Sequence, residues 1–340
     1  MKKVVGFGDL LIRLNPEGYK RFLQADRFEV CYTGAEANVM ASLSVMGVET
    51  EFVTRLPENA IACCAAANLR KLGVGISHIR WGGERMGVFY VEKGASQRPS
   101  TIVYDRKHTA IAEAKPDDFD FEAAFQGAGW FHITGITPAL GERLPETAEL
   151  AMSTARKLGL KVSCDLNYRK NLWSTPQAKR VMERLLPMTD ILIANEEDCE
   201  KVLGISAAHT DVVHGKLNTA GYVDVARQLT SRFGVQAVGI TLRKSISASD
   251  NEWSTMLYTQ GNAYFSPTYA VHIVDRVGGG DSFAAGLLYG FGHGFTPQEI
   301  VNYAAAASCL KHSIELDVNL STVEEVRRLM DGDGSGRVRR

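Results

Sequence analysis

Short apolar runs alternate with amphipathic helical segments through most of this chain, and that alternation predicts an α/β protein. The expected core is a three-layer α/β/α sandwich around a mainly parallel central sheet. Two segments that break the alternation with short, aromatic-rich runs predict a small antiparallel β lid over one edge of that core.

The elements follow in order. VVGFG near the start, WFHIT at 130–134, KVSCDLN at 161–167, DILIAN at 190–195 and QAVGITL at 236–242 read as buried strands. Between them, ERLPETAELAMSTARKLG and PQAKRVMERLLP read as crossover helices. Thr175 followed by Pro176 predicts an N-cap with proline at the first helical position. Thr296–Pro297–Gln298–Glu299 has the form of a capping box, and Ser321 with Glu324 repeats the spacing. The lid strands are expected at about 10–33 and 86–106, inserted into one domain that spans 1–331, with a tail at 332–340. No internal repeat, low-complexity tract or linker interrupts the chain.

Composition excludes several classes of function. The 340 residues are 45% hydrophobic and 23% charged, with a formal net charge of −1. That balance gives no electrostatic argument for nucleic acid or an anionic membrane. The basic RVRR at the C-terminus reads as solvated tail. No run approaches the roughly 18 consecutive apolar residues of a membrane span. Asp9 and Arg13 interrupt the only stretch that resembles a signal peptide, so a cytoplasmic location is expected. The six cysteines are scattered, without the C-x-x-C spacing of a zinc pair or a disulfide framework.

Two nucleotide motifs fail. GFGD at 6–9 would need glycine at position 11 to complete G-x-G-x-x-G, and that residue is Leu11. A Walker A sequence is absent as well. The stretch VDRVGGGDSF, 274–283, is a stronger signal. Gly278, Gly279 and Gly280 precede a helical apolar run, where free backbone N–H groups and the positive end of the helix dipole attract anions. Such donors suit the charge of a transferring phosphoryl group. Asp281 beside them is poor for binding phosphate but well placed to take a proton from an attacking hydroxyl. On the residues alone, a helix cap after a tight glycine turn stays open as the other reading.

VDRVGGGDSFAAG resembles the C-terminal signature of the ribokinase-like (PfkB) carbohydrate kinases, usually D-T-x-G-A-G-D-x-F. Asp275, Gly278, Gly280, Asp281 and Phe283 match, while Arg276 replaces threonine and Gly279 replaces alanine. TGAEANVMASLSVMG at 33–47 resembles the N-terminal sugar-binding signature of that family. NEED at 195–198 stands where the family has N-x-x-E. The resemblance runs from about residue 3 to 330 and implies a ribokinase-like fold in which the inserted strands cover the sugar. It also implies ATP as phosphate donor and Mg²⁺ held through water, with Asn195 on the nucleotide side, Asp198 on the metal and Glu197 sharing that role.

Arginines point to the acceptor. Arg98 and Arg106 fall in the lid segment and Arg169 just past a core strand. A sugar acid needs a cation, and the planar guanidinium is the best carboxylate partner. Each arginine taken singly also fits a surface position. GAEANV, YDR, HITGITPAL and D-x-N-Y-R-x-x-L-W together resemble the 2-keto-3-deoxygluconate kinases within the family. That resemblance implies a substrate pocket of Gly34, Phe89, Tyr104, Arg106, Ile136 and Arg169, with Asn38 and Asp9 as further polar contacts. On the nucleotide side, TLRKSISAS at 241–249 lacks the usual glycines, so Arg243 or Lys244 is expected to neutralise phosphate. Ala304 opens AAAAS, a run small enough to lie under an adenine and equally suited to a close-packed helix. ENAIACCAA at 58–66 lacks the glycine and acid usual in the family, which puts a polar role for that helix start in doubt.

The expected activity is phosphorylation of the 6-hydroxyl of 2-keto-3-deoxygluconate, with Asp281 as base and residues 278–280 as anion hole. Alternatives are another sugar kinase of the same fold, such as a fructokinase, and a non-catalytic sugar-acid sensor. The expected partners are a small sugar acid and a nucleotide, with no nucleic acid and no membrane, in a homo-oligomer.

Overall fold

The first strand, β1 (Lys3–Phe7), sets the pattern of the core. Successive side chains of a strand point to opposite faces. Val4 enters one hydrophobic cluster, and Val5 and Phe7 enter another. With both faces buried, the strand reads as an unbroken apolar run. The computed structural model describes residues 1–205 and 219–334, so most of the expected tail, 335–340, lies outside the described residues.

After β1 the chain forms β2 (Leu11–Pro16), β3 (Phe28–Thr33), α1 (Ala35–Val45), β4 (Thr50–Leu56), α2 (Ala60–Lys71), β5 (Ile79–Trp81), β6 (Val88–Glu92) and β7 (Thr101–Asp105). Next come α3 (Phe121–Ala124), β8 (Ala128–Thr134), α4 (Leu144–Lys157), β9 (Lys161–Asp165), α5 (Thr175–Leu185), β10 (Ile191–Ala194) and α6 (Glu196–Asp198). The last part comprises α7 (Thr219–Phe233), β11 (Ala237–Ser245), β12 (Asp250–Thr259), β13 (Asn262–Phe265), β14 (Tyr269–His272), α8 (Gly279–Gly292), α9 (Pro297–Lys311) and α10 (Val323–Met330).

The main sheet has the order β13-β12-β11-β10-β9-β8-β1-β4-β5, with β14 also on β12. From β5 to β11 every neighbouring pair is parallel. β12 turns back antiparallel and carries β13 and β14. Residues of α1, α2, α8, α9 and α10 share the cluster of Val4, while those of α3, α4, α5 and α7 share that of Val5. Among the described residues, no helix is long and apolar enough to cross a membrane.

The expected helix starts hold with two one-residue corrections. Thr296 caps α9 through a capping box with Glu299, as expected. α5 is capped by Ser174, not Thr175, because the Ser174 hydroxyl accepts the Gln177 N–H and places Pro176 in the second helical position. α10 is capped by Thr322 with Glu325, not by Ser321. Ser321 is held one residue back, its N–H donating to Asn319 Oδ1 at 3.0 Å. Asn59 keeps a polar role at the start of α2, its side chain accepting the Ala62 N–H.

The two insertions pair into a second sheet of order β3-β2-β6-β7. The hairpin pairs β2–β3 and β6–β7 are antiparallel as expected, but the central pair β2–β6 is parallel. Each insertion sends one strand out and returns by the next, so the outgoing strands lie side by side in the same direction.

Candidate active site

The run of three glycines meets three different constraints. Gly278 has φ +84°, and a Cβ there would stand 1.8 Å from the carbonyl oxygen of Asp317. A Cβ on Gly279 would lie 2.7 Å from Cε1 of His312. One on Gly280 would meet open space. Helix α8 begins at Gly279, and its first internal bond runs from the Ser282 N–H to Gly278 O at 2.8 Å. The Gly279 N–H turns back toward Arg276 O at 3.4 Å. The N–H groups of Gly280 and Asp281 have no carbonyl partner among the described residues. The Gly278 N–H is open in the same way, so among the described residues two of the three expected donors, Gly278 and Gly280, stay free and Asp281 joins them, while Gly279 is spent on the turn.

These donors open into a cavity of about 500 Å³ above the C-terminal ends of the parallel strands, the usual ligand crevice of an open α/β sheet. Asp281 lines it, half-buried. Burial pushes its carboxyl up to about 7. The Asn38 amide, 2.7 Å from Oδ2, opposes that rise, the charge of Asp317 adds to it and Arg169 opposes it. A carboxylate poised there suits a general base at neutral pH. Asn38, expected to contact substrate, lines the cavity and gives its Nδ2 to Asp281.

The remaining expected sugar contacts converge on the same cavity: Asp9, Gly34, Phe89, Tyr104, Arg106, Ile136 and Arg169. Gly34 is required by close approach, since a Cβ there would lie 1.9 Å from Asp9 O. Phe89 stacks on Tyr104 with centroids 5.5 Å apart, and the Arg106 guanidinium lies 4.6 Å over the Tyr104 ring. The lid thereby holds Arg106 against an aromatic face. Arg106 is 8% exposed, and its Nε has no hydrogen-bond partner among the described residues. Burial pulls its pKa down, while Asp9 opposes and Arg169 adds to that shift. Asp9 is pushed up to about 6 by burial, and its Oδ2 is likewise without a partner among the described residues. Arg169 is exposed and donates to Tyr168 O at 3.2 Å. Arg98, by contrast, pairs with Glu92 at 3.0 Å and does not line this cavity.

Two more carboxylates lie at the end of β9 and just past β10. Asp165 is buried, and burial followed by the charges of Asp198 and Asp281 raises its pKa well above the usual range. Burial likewise pushes Asp198 up to about 6. Asn195 fixes Asp198 from two sides, its Nδ2 donating to Oδ2 at 2.9 Å and its Oδ1 accepting the Asp198 N–H at 2.8 Å. Glu197 is exposed and pairs with Lys201; it lines a neighbouring outer cavity together with Asn195 and Asp198 but does not line the cavity of Asp281.

At the far end of the cavity the strand alternation of β11 separates two expected residues. Arg243 and Thr241 line the cavity. Lys244 points to the other face and pairs with Glu252 at 3.1 Å, so it is not a cavity residue. Arg276 joins Arg243 there, its Nη2 donating to Ala248 O at 2.9 Å. Ala304 is also outside. It is fully buried where α9 meets α8, and a Cβ on Gly286 would come within 2.6 Å of its Cα. The small residues serve helix packing rather than a nucleotide slot.

Residues 1–314 match the model of the pfkB family of carbohydrate kinases. The chain belongs to that family. A solved structure of 2-dehydro-3-deoxygluconokinase from Thermotoga maritima is 50% identical, with a TM-score of 0.94 and coverage of 97% of this chain and 98% of that one. A 2-dehydro-3-deoxygalactonokinase of Haloferax volcanii is 31% identical over 335 residues, 98% of each chain. A 2-dehydro-3-deoxygluconokinase of Thermoproteus tenax is 25% identical, covering 91% of this chain and 88% of its own.

This carbohydrate kinase also gathers residues that sequence reasoning missed. Glu36 is buried at the cavity wall, its Oε1 accepting from Thr134 N–H (2.9 Å), Thr134 Oγ1 (2.8 Å) and Thr137 Oγ1 (2.6 Å). Asp165, Asn167, Arg276 and Asp317 line the cavity as well. For Asp165 and Asn167 a signal existed: both follow an apolar strand at its C-terminal end, in the stretch that also holds Arg169.

Proposed function

We propose that this kinase transfers the γ-phosphoryl group of ATP to the 6-hydroxyl of 2-keto-3-deoxygluconate, giving 2-keto-3-deoxy-6-phosphogluconate and ADP. The observation that carries the reading is Arg106. It is a buried guanidinium without an ion-pair partner among the described residues, in one cavity with Arg169 and Asp281. A neutral sugar leaves the buried Arg106 cation unanswered, which is costly. A carboxylate answers Arg106 and Arg169 in bidentate geometry. The names of the Thermotoga and Thermoproteus relatives agree with this acceptor, 2-dehydro-3-deoxygluconate being the same compound.

With the carboxylate at the arginines, the distal hydroxyl faces Asp281. The ionised carboxylate takes the hydroxyl proton as the oxygen forms its bond to the γ-phosphorus. The bond to the bridging oxygen breaks, and that oxygen leaves with ADP. Charge on the transferring group meets the Gly280 and Asp281 N–H groups and the N-terminus of α8. Arg243 and Arg276 stand where they can neutralise the donor phosphates. Among the described residues no cluster of three His, Cys, Asp or Glu side chains could hold a metal. Asp165 and Asp198 nevertheless face one cavity with raised pKa values, a pair that a nearby cation would relieve. Mg²⁺ would be held here mainly by phosphates and water, and Asp198, fixed by Asn195, would be the carboxylate to support it. When bound, the ion neutralises phosphate charge. We expect the kinase to act in the cytoplasm as a homo-oligomer; Phe28, Val30 and Val103 of the lid, 38–53% exposed, offer apolar area that a second copy would cover.

The C4 epimer, 2-keto-3-deoxygalactonate, is the second reading, favoured by the Haloferax relative. ADP release measured with each epimer and with fructose tests both. The reading expects turnover of at least one acid epimer with kcat/KM well above that for fructose. Equal turnover of fructose would reduce the assignment to an unspecified sugar kinase.

A further inference from the structure

The lid stands on a buried arginine. Arg13 of β2 is fully buried, and its guanidinium bridges Asp275 (Nη2 to Oδ2, 2.6 Å) and Asp317 (Nη1 to Oδ1). From each acid a polar chain runs to the reaction centre. Asp275 Oδ1 accepts the Val277 N–H at 3.1 Å, immediately before the glycine turn. The Asp275 carbonyl accepts from the buried Lys311 ammonium at 3.1 Å. On the other branch, Asp317 Oδ2 lies 2.6 Å from Thr33 Oγ1, at the end of lid strand β3. The same hydroxyl lies 2.9 Å from Asn38 Oδ1, and Asn38 Nδ2 donates to Asp281 Oδ2 at 2.7 Å. Thr33 has one proton for its two acceptors, so it links Asp317 to Asn38 without serving both at once.

Stability alone is a weak account of this arrangement. Buried ion triads can be replaced by apolar residues of similar volume with no loss of stability. The branches of the triad end at two parts of the site that must act together, the glycine turn and the base.

We propose that Arg13 is a positioning residue for phosphoryl transfer, holding the glycine turn and Asp281 in register with the root of the lid through Asp275, Asp317, Thr33 and Asn38. The proposal rests on the reading of Asp281 as the base. Asp281 is faced by Asn38 and Glu36 from α1, by Asp165 at the end of β9, by Arg169 beyond it, by Lys311 of α9 and by Asp317 after α9. Arg13 offsets the Asp317 charge, so removing the guanidinium leaves more negative potential on the base and moves its titration upward.

The test compares Thr33→Val, Arg13→Lys and Arg13→Met in the full chain, with Asp281→Asn alongside. Tm, kcat, sugar KM and the pH profile of kcat are measured for each. Thr33→Val is nearly isosteric and leaves the ion triad intact. It should keep its Tm within a few degrees and its sugar KM within about two-fold, while kcat falls about 10- to 150-fold, the effect of losing a hydrogen bond to the Asp317 carboxylate. Arg13→Met should move the acid limb up by roughly half a pH unit or more. Arg13→Lys restores the charge but cannot span both acids, so its limb should return toward wild type while kcat stays low. Wild-type kcat and acid limb in Thr33→Val and Arg13→Lys, with only Tm reduced, would overturn the proposal; these two variants decide even if Arg13→Met does not fold. If Asp281→Asn itself keeps its kcat, the base assignment fails, and the positioning proposal fails with it.

Discussion

Replacing Arg106 with methionine removes a cation while leaving an apolar stem to rest on the Tyr104 ring, where the guanidinium now lies at 4.6 Å. At 8% exposure the arginine is nearly shielded from water, so its contact with a carboxylate is charge-assisted and poorly screened. Such bonds contribute about 1.5–3 kcal/mol, which corresponds to a loss of about 10- to 150-fold in kcat/KM. Arg169 is exposed, and solvent screening places Arg169→Met at the lower end of that range. Both act on one group, so the double variant should lose less than the product of the single losses. The assay is ADP release with 2-keto-3-deoxygluconate and with an analogue carrying a hydroxymethyl group in place of the carboxylate. Against the analogue the variants should lose little or gain, because the wild-type pocket then buries an unpaired cation. Equal losses on acid and neutral acceptor would refute the reasoning and leave both arginines structural.

Asp281→Asn should keep the fold while kcat falls by roughly 10²–10⁴-fold, the scale of general base catalysis; the wild-type kcat should fall away as pH drops below about 7. The same raised pKa predicts a stability effect. The wild type holds its full contribution below the unfolded value of 3.8 and loses it as pH rises to about 7. That rise corresponds to at most about 4 kcal/mol, reduced to about 1–2 kcal/mol by solvent at a half-buried group. Thermal melts should show Asp281→Asn gaining on the wild type from pH 4 to 7 and level above, and a constant difference would contradict the assigned burial. Arg243→Met should raise the KM for ATP with little change for the sugar, whereas Lys244→Met, on the far face of β11 beside Glu252, should change neither. Gly280→Ala has room for its Cβ and should keep its Tm while kcat drops about ten-fold or more through crowding of the anion donors. Gly278→Ala, at φ +84° and 1.8 Å from Asp317 O, should lower Tm by several degrees.

What the sequence made legible follows from range. The parallel strands announce themselves because burial on both faces leaves continuous apolar runs, and the glycine turn because no other residue type fits at Gly278. The lid was legible as two interruptions, but its parallel centre was not, since pairing between β2 and β6 joins separate insertions. Ala304 and Lys244 fail for a shared reason: composition and charge qualify a residue for a site without saying which face of its helix or strand it occupies. Arg13 shows the opposite error. Within LIRLNP it reads as one polar residue of an alternating strand, yet its partners lie 262 and 304 residues away in sequence, and a buried triad assembled over that distance leaves no local pattern. Glu36 is hidden in the same way, its three donors coming from β8 and the turn beyond it.

A crystal structure of the kinase with 2-keto-3-deoxygluconate bound tests the central claim most directly, because substrate orientation joins the acceptor assignment to the catalytic one. The carboxylate should lie within about 3.2 Å of guanidinium nitrogens of Arg106 and Arg169, and the 6-hydroxyl within about 3.2 Å of Asp281. A sugar bound the other way round, with its carboxylate at the glycine turn and its 6-hydroxyl at the arginines, would contradict it.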